Sequence, residues 1–449
     1  MAEYSALLES IRSLVAGDAI APSERLAEYA VDGLTPEIAV SPNTAEEVAA
    51  VLAAAARQEA AVIPWGGGTG MATGNPPKRY DVALDVTRLN QVVAHEPADL
   101  TVVVQGGVRL QELQDYLAGS GQYLPLDPPL PQSATIGGIL AANAGGPWRH
   151  AYGWPRDWAL GLKVALTDGS VTKAGGRVVK NVAGYDMTKL YLGSFGTLGV
   201  IVEAAFKVTP LPEASATGVA FFKSAGAAAE AGLVIDKRNL GLRSLTVVSP
   251  GAGELSTASG VEHPRSAWAL LVTAAGVAAA VERSLGEAEA VCTGQDGVAW
   301  QRLPDDSGAA LWEGVRHLLL PPKEDDRLLT RAGLLPSQVA AFLESLESLA
   351  REHGLAVQAI SHLALGTVYS VWRGDDRILS ERGAGLVSVL RSLAGREGGA
   401  VIVEGCPAEL KRQIDVWGEP RGGFSLMRRI KEQMDPRGTL SPGRFAGRI

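Results

Sequence analysis

Cysteine is scarce in this chain of 449 residues: Cys292 and Cys406 stand far apart and no CxxC pair occurs. That excludes a disulfide framework, a structural zinc site and a cysteine-ligated iron–sulfur cluster built by this chain alone, and it points to a reduced, cytosolic setting. Basic runs are missing as well. With 41 Lys and Arg against 49 Asp and Glu, the net charge is −8, and no cationic stripe is present to meet a nucleic-acid backbone. No apolar run approaches the ~18 residues of a membrane span, so no direct membrane insertion is expected. Residues 1–17 carry Glu3 and Glu9 and lack a positively charged start, which reads as a short amphipathic helix and not as a secretory signal. No internal repeat is visible.

The length exceeds what one hydrophobic core usually supports, so more than one domain is expected. Hydrophobic residues at 46% and charged residues at 20% are a globular balance. Residues 46–58 are alanine-rich and helical, 61–64 form a buried-strand run, and 82–86 and 100–105 read as strands. Leu110, Leu113 and Leu117 mark the apolar face of a helix, and 199–209 alternates as a strand. Pro210 and Pro212 mark a boundary. Beyond it, strands at 244–248 and 267–272 alternate with helices at 277–285, 309–319, 337–352 and 383–394. Glycine-rich βα turns are absent there, which suggests an antiparallel sheet with helices on one face. Residues 424–434 form a last amphipathic helix. The expected class is α+β, with a helical segment over 1–35, a first domain over 36–212, a second over 213–420 and a closing segment over 421–449.

Glycine is what the chain has in excess: 53 residues, against a usual share of roughly 7%. The excess concentrates in three segments. Pro64-Trp-Gly-Gly-Gly-Thr-Gly70 follows a strand run directly, and consecutive glycines let backbone N–H groups turn toward one anion such as a pyrophosphate. A tight surface turn is the plainer alternative. No Gly-Lys-Ser/Thr follows, so it is not a P-loop, and the Rossmann spacing would place its third glycine at Met71. The second segment is Asp127-Pro-Pro-Leu-Pro-Gln-Ser-Ala-Thr-Ile-Gly-Gly138 with Ala141-Ala-Asn-Ala-Gly-Gly146. The third is Gly175-Gly-Arg-Val-Val-Lys-Asn-Val-Ala-Gly-Tyr-Asp186 with Gly193-Ser-Phe-Gly-Thr-Leu-Gly199. Small residues with a few isolated polar side chains suit a large flat cofactor lying against backbone.

In this order the three segments resemble the FAD-linked oxidase family, whose fold is that of vanillyl-alcohol oxidase and of the D-lactate and glycolate dehydrogenases. The ending Met434-Asp-Pro-Arg-Gly-Thr-Leu-Ser-Pro-Gly-Arg444 resembles the family's closing Phe-Asp-Pro-x-Gly-x-Leu-Asn-Pro-Gly. The likeness is strong over 40–210 and the last 30 residues and loose between them. It implies a two-subdomain FAD-binding domain of PCMH type, a C-terminal antiparallel sheet-and-helix domain, and a closing segment that returns to the FAD domain. Gly146-Pro-Trp-Arg-His-Ala-Tyr-Gly-Trp-Pro-Arg-Asp157, together with the third segment, is similar to the FAD-binding subunits of glycolate oxidase of the E type. That likeness implies a small 2-hydroxy acid as substrate of a complex, with a larger paralogous flavin subunit and an iron–sulfur subunit as partners. It implies a cytoplasmic protein, attached to the inner membrane face only through the complex.

Carried over residue by residue, Pro64, Gly66, Gly67, Gly68, Thr69, Gly70 and Met71 would hold the pyrophosphate. Thr135, Gly137, Gly138, Asn143 and Gly146 would line the stretch from adenine to flavin, and Asn181, Gly184, Asp186, Thr197, Gly199 and Ile201 would close the pocket. Some members attach FAD to a histidine in the first loop; Thr69 stands in that neighbourhood here, which implies non-covalent FAD.

Departures bear on mechanism. The family's dehydrogenases carry His-x-Gly-Asp-Gly-Asn-x-His and Gly-Glu-His-Gly stretches, whose imidazoles deprotonate the hydroxyl and bind a metal. Here the corresponding stretches are His362-Leu-Ala-Leu-Gly-Thr-Val-Tyr369 and Val403-Glu-Gly-Cys-Pro407, and Phe195 replaces an acidic residue of the third segment. No metal site and no catalytic residue is assigned, and the pattern reads as a loss of independent hydroxy-acid chemistry. His317 and His362 lack a second ligand at helical or strand spacing and read as structural. Among Arg149, His150, Arg156 and Asp157, an arginine could stabilise negative charge on a flavin edge, or simply pair on the surface. Lys180 and Lys189 could reach a phosphate or solvate a surface, and Arg444 could return to the FAD domain. Trp148, Trp154 and Trp158 cluster around one loop, as core anchors, a stacking site or a docking site. Three functions fit: an FAD-binding oxidoreductase subunit, an assembly subunit without catalysis, and a stand-alone flavin oxidase for an alcohol or hydroxy acid.

Overall fold

The computed structural model describes residues 2–176, 185–250, 260–261, 264, 266–294, 299–320, 327–374, 376–396, 398–420 and 422–449. They form two units. The first comprises Met1–Gly145, Trp154–Pro210 and Glu419–Ile449; the second comprises Gly146–Gly153 and Leu211–Gly418. The eight residues Gly146–Gly153 thus leave the glycine-rich region and fold with the second unit, where they pack on the strand Leu242–Val248.

The first unit holds a parallel three-stranded sheet in the order Ile38–Val40, Val82–Asp85, Val62–Trp65. Helix Ala45–Arg57 covers it. Thr44 caps that helix, its Oγ1 accepting from the Glu47 amide at 3.1 Å, and Val48, Val51 and Leu52 bury one face with the alanines between them. An antiparallel five-stranded sheet has the order Val92–Glu96, Thr101–Gln105, Val200–Lys207, Ala159–Ala165, Val171–Gly175. Helices Leu110–Ala118 and Ile136–Ala142 contribute Leu110, Leu113, Leu117, Ile139 and Leu140 to its core. Parallel strands need crossovers: helix Ala45–Arg57 lies between Ile38–Val40 and Val62–Trp65, and the non-helical residues 66–81, which hold the first glycine-rich loop, lead from Val62–Trp65 to Val82–Asp85, whereas the second sheet runs antiparallel.

The second unit is built on one antiparallel sheet of eight strands, ordered Ala299–Leu303, Ala214–Phe222, Trp268–Gly276, Leu242–Val248, Ala356–His362, Thr367–Arg373, Arg327–Gly333, Ala400–Gly405. Helices Ala225–Lys237, Ala278–Gly294, Val339–His353 and Asp376–Gly395 bury one face of it in a continuous apolar core around Trp372, Leu270 and Val247. Helix Asp305–Leu318 packs Leu311, Trp312 and Val315 against the other face. The α+β class and the antiparallel sheet with helices therefore stand, with more strands than the sequence suggests.

Candidate functional site

The glycine-rich segments of the first unit converge pairwise. The first loop lies against the second: a Cβ built on Gly67 would sit 1.7 Å from the Ser133 carbonyl, and one on Gly66 2.1 Å from Thr135 Oγ1. The second meets the third where the carbonyls of Leu140 and Ala141, at the end of helix Ile136–Ala142, accept from the Gly193 and Phe195 amides at 3.0 and 2.9 Å. The third returns to the first, since a Cβ on Gly196 would lie 3.2 Å from Pro64 Cγ. Glycine is therefore demanded at Gly66 and Gly67 by chain-to-chain approach itself, before any ligand is considered.

The closing segment locks this arrangement. Leu440 bridges Val62 in parallel, with the Val62 amide donating to Thr439 at 2.7 Å and the Ser441 amide to Val62 at 2.9 Å. Arg444 is buried, and its Nη2 donates to the Met71 and Thr73 carbonyls, both at 2.7 Å, while Nη1 lies 3.5 Å from Asp32 Oδ2. Lys431 is equally buried: Nζ donates to Asp435 Oδ2 at 2.5 Å, to the Leu440 carbonyl at 2.8 Å and to the Thr197 carbonyl at 2.9 Å. Burial pushes the Lys431 ammonium down and Asp435 opposes that push. Phe445 stacks on Phe195 with ring centroids 5.5 Å apart. Behind the first loop, Trp65 Nε1 donates to the Tyr80 hydroxyl at 2.6 Å, Tyr80 to the Tyr29 carbonyl at 3.0 Å, and Tyr29 to Asp85 Oδ2 at 2.8 Å. Burial pushes the Tyr29 phenol up to about 12 and raises Tyr80 as well, so both act as neutral braces.

An expected FAD can be tested against these residues. Thr135 Oγ1, Asn143 Oδ1 and Thr188 Oγ1 are buried and have no hydrogen-bond partner among the described residues. Thr135 and Asn143 cap the two ends of helix Ile136–Ala142, and Asn143 sits in the left-handed region at φ 47°. Buried polar atoms left unpaired in a glycine-lined setting are what a polar, flat ligand would satisfy, so the residues fit FAD.

The remaining expected positions fall as follows. Gly68 has φ 72°, which a residue with a side chain rarely adopts, and Gly70 is open to solvent with nothing near a built Cβ. Thr69 and Met71 are half-buried in the same loop. Gly137 presses on the carbonyls of Gly106 and Ile201, Gly138 lies near Thr135 Oγ1, and Gly199 abuts Val164. Thr197 is buried and donates to the Ser194 carbonyl at 2.7 Å. Ile201 is in the core. Asp186 is exposed and paired with Lys189 at 3.0 Å. Gly146 folds with the second unit. Asn181, Gly184 and Lys180 lie outside the described residues. Thr188, within the Gly-Tyr-Asp stretch, is a buried hydroxyl that sequence reading missed; a lone threonine offers no local signal.

In the second unit the sheet face away from the four helices carries polar groups. Thr217 Oγ1 meets Thr273 Oγ1 at 3.0 Å, and Trp312 Nε1 donates to Thr273 at 2.9 Å. Arg331 Nε donates to Glu404 Oε1 at 2.5 Å. His362 pairs through Nδ1 with Thr246 Oγ1 at 3.0 Å. Arg149 is buried and joins this unit, whereas Arg156 and Asp157 form the exposed pair expected of a surface, 3.9 Å apart. The tryptophans separate too. Trp148 stacks under Arg243 in the second unit, and Trp158 under Lys207 in the first. His317 is exposed. Among the described residues no group of three His, Cys, Asp or Glu could hold a metal ion, and no helix is long and apolar enough to cross a membrane.

Comparison with known proteins accords with this geometry. Residues 36–175 match the FAD binding domain and residues 211–445 the C-terminal domain of FAD linked oxidases. Glycolate oxidase subunit GlcD of Bacillus subtilis is 28% identical over 417 residues, covering 91% of this chain and 89% of that one. The D-lactate dehydrogenase of Archaeoglobus fulgidus is 30% identical over 427 residues, covering 92% of each. The solved structure of an alkyldihydroxyacetonephosphate synthase superposes with a TM-score of 0.76 at 18% identity, over 98% of this chain and 86% of that one, which speaks for the fold alone. The chain belongs to the FAD-linked oxidases and is an FAD-dependent oxidoreductase.

Proposed function

We propose that the chain is the FAD-binding subunit of a dehydrogenase complex for glycolate or a similarly small 2-hydroxy acid, beside a larger flavin subunit and an iron–sulfur subunit. The observation that carries the cofactor half is that the buried oxygens of Thr135 and Asn143, at the two ends of one short helix, have no hydrogen-bond partner among the described residues. Bound there, FAD supplies a two-electron acceptor. The chain does the rest: the Pro64–Met71 loop offers backbone N–H groups for the pyrophosphate, and Arg444 holds the end of that loop through the carbonyl of Met71 and that of Thr73 just beyond it. Thr135 and Asn143 would hold the middle of the cofactor. Thr197, whose carbonyl accepts from Lys431, would close it from the far side. Thr69 offers no imidazole for a covalent link, so the flavin is held non-covalently.

The substrate half draws support from the relatives, a glycolate oxidase subunit and a D-lactate dehydrogenase. The partner half draws on the scarcity of cysteine, since iron–sulfur chemistry would have to come from another chain. Purification of the chain alone and with its partners tests both halves. The chain should be yellow and release all flavin into the supernatant on acid precipitation; a colourless folded protein would end the cofactor reading. Glycolate oxidation should appear only on co-expression with an iron–sulfur partner, and full turnover by the isolated chain would replace the subunit reading with a stand-alone oxidase.

A further inference from the structure

Helix Phe424–Met434 belongs to the first unit, and Leu426, Ile430 and Met434, spaced four apart, lie along one of its faces. Ile430 and Met434 pack against a core of that unit, and Lys431 beside them is buried. The apolar stripe then runs out past that core: Leu426 is 52% exposed and Met427 37%. Single exposed apolar residues are ordinary, but these two adjoin on one turn and extend a face that the helix otherwise buries.

The same end of the helix is cationic. Arg428 and Arg429 are exposed, with Arg428 over the Phe424 ring at 5.2 Å. The first turn holds no acidic residue to offset the helix dipole, and the sequence from Phe424 to Lys431 has none at all. This runs against a chain whose net charge is −8. Lys431 fastens the helix to the segments around the candidate cofactor site, donating to the Thr197 carbonyl at 2.9 Å and to that of Leu440 at 2.8 Å.

Charge and area decide among occupants of this turn. A second copy docked about a two-fold axis would set these arginines against one another. A bilayer surface calls for a broad apolar face, and two uncovered side chains on an 11-residue helix fall short of one. A protein with an acidic rim around an apolar pocket meets both features. We propose that the turn Leu426–Arg429 is the docking face for the iron–sulfur partner, which seats Leu426 and Met427 in an apolar pocket and faces Arg428 and Arg429 with carboxylates. This rests on the reading of the chain as one subunit of a complex. It adds where that partner binds: on the helix tied to the segment proposed to close the cofactor.

Biolayer interferometry tests the face, using the purified full-length chain and the iron–sulfur protein that supports glycolate oxidation on co-expression. Flavin content and melting temperature are recorded for each variant. Affinity should fall about tenfold between about 50 and about 300 mM salt, as charge-steered association does. Leu426→Asp should weaken binding about tenfold. Arg428→Glu combined with Arg429→Glu should weaken it about as much and abolish the salt dependence. Val277→Asp, at an apolar residue 63% exposed in the second unit, should stay within about twofold of the parent. The arginine pair is on the surface and keeps the test valid if Leu426→Asp misfolds. Parent-like affinity in the helix variants, or an equal loss in Val277→Asp, would overturn the docking face and leave the subunit reading standing. So would helix variants that lose only self-association or only binding to phosphatidylglycerol vesicles, which would assign the turn to a second copy or to a membrane. If no iron–sulfur protein binds the parent chain, the subunit reading falls and the docking face falls with it.

Discussion

Arg444 donates to the carbonyl of Met71 at 2.7 Å across 373 residues of sequence. The same guanidinium nitrogen holds Thr73, and the backbone carbonyl of Arg444 accepts from the Asn75 amide at 3.0 Å. One buried side chain thereby fixes the exit of the first glycine-rich loop, a stretch whose glycines have little rigidity of their own.

Removing that clamp should loosen both fold and cofactor. Arg444→Ala takes from Asp32 its buried ionic partner and should cost about 3–5 kcal/mol in urea unfolding. Arg444→Lys, with a single compact ammonium, should recover part of the stability but not the loop geometry. Flavin retained after gel filtration should fall in both variants; full retention in Arg444→Ala would contradict the clamp.

Gly67 and Gly70 provide a matched pair. A Cβ at Gly67 would overlap the Ser133 carbonyl, whereas one at Gly70 meets nothing within 4 Å. Gly67→Ala should therefore cost at least about 1–3 kcal/mol and lower flavin content, and Gly70→Ala should stay within about 0.5 kcal/mol of the parent. Thermal melts on the two variants decide it, and similar losses in both would mean that ligand contact, not loop packing, selects these glycines.

His362 predicts a pH dependence of stability. Folding holds its ring down to about 3, while the unfolded chain titrates near 6.5. As pH falls below about 6.5 the unfolded chain takes up a proton that the folded one refuses, so acid favours unfolding. By pH 5 this one group should remove about 2 kcal/mol. Urea titrations at pH 7.5 and 5.0 should show that much less acid sensitivity in His362→Gln, and an unchanged difference would place the ring in water.

Cys292 is buried in the helix-side core, and burial pushes its thiol up to about 12. It should resist a neutral-pH thiol reagent in the native protein and react fully in denaturant. Rapid native labelling, mapped by mass spectrometry, would show that helix Ala278–Gly294 opens readily.

Much of this was legible locally. Helix Phe424–Met434 falls on the residues expected, helix Ala45–Arg57 and strand Val82–Asp85 within one, and the three glycine segments do converge. Strands such as Ala214–Phe222 and Thr367–Arg373 were not legible: they are covered on both faces, so their residues lack the two-residue alternation that reveals a strand. Nor could sequence reading show Gly146–Gly153 joining the second unit, because its neighbours in sequence belong to the first.

By itself the sequence determined the FAD-linked oxidase class, the three glycine-dense segments and the scarcity of cysteine, because glycine placement and residue type are written in the chain locally. The tertiary structure alone decided that Gly66 and Gly67 face Ser133 and Thr135, that Arg444 clamps Met71, and that His362 stands between Thr246 and Thr367 with Arg149 beside it. Those relationships depend on strand register and on burial across hundreds of residues, which set a side chain's partners and charge state and leave no periodic mark in the chain.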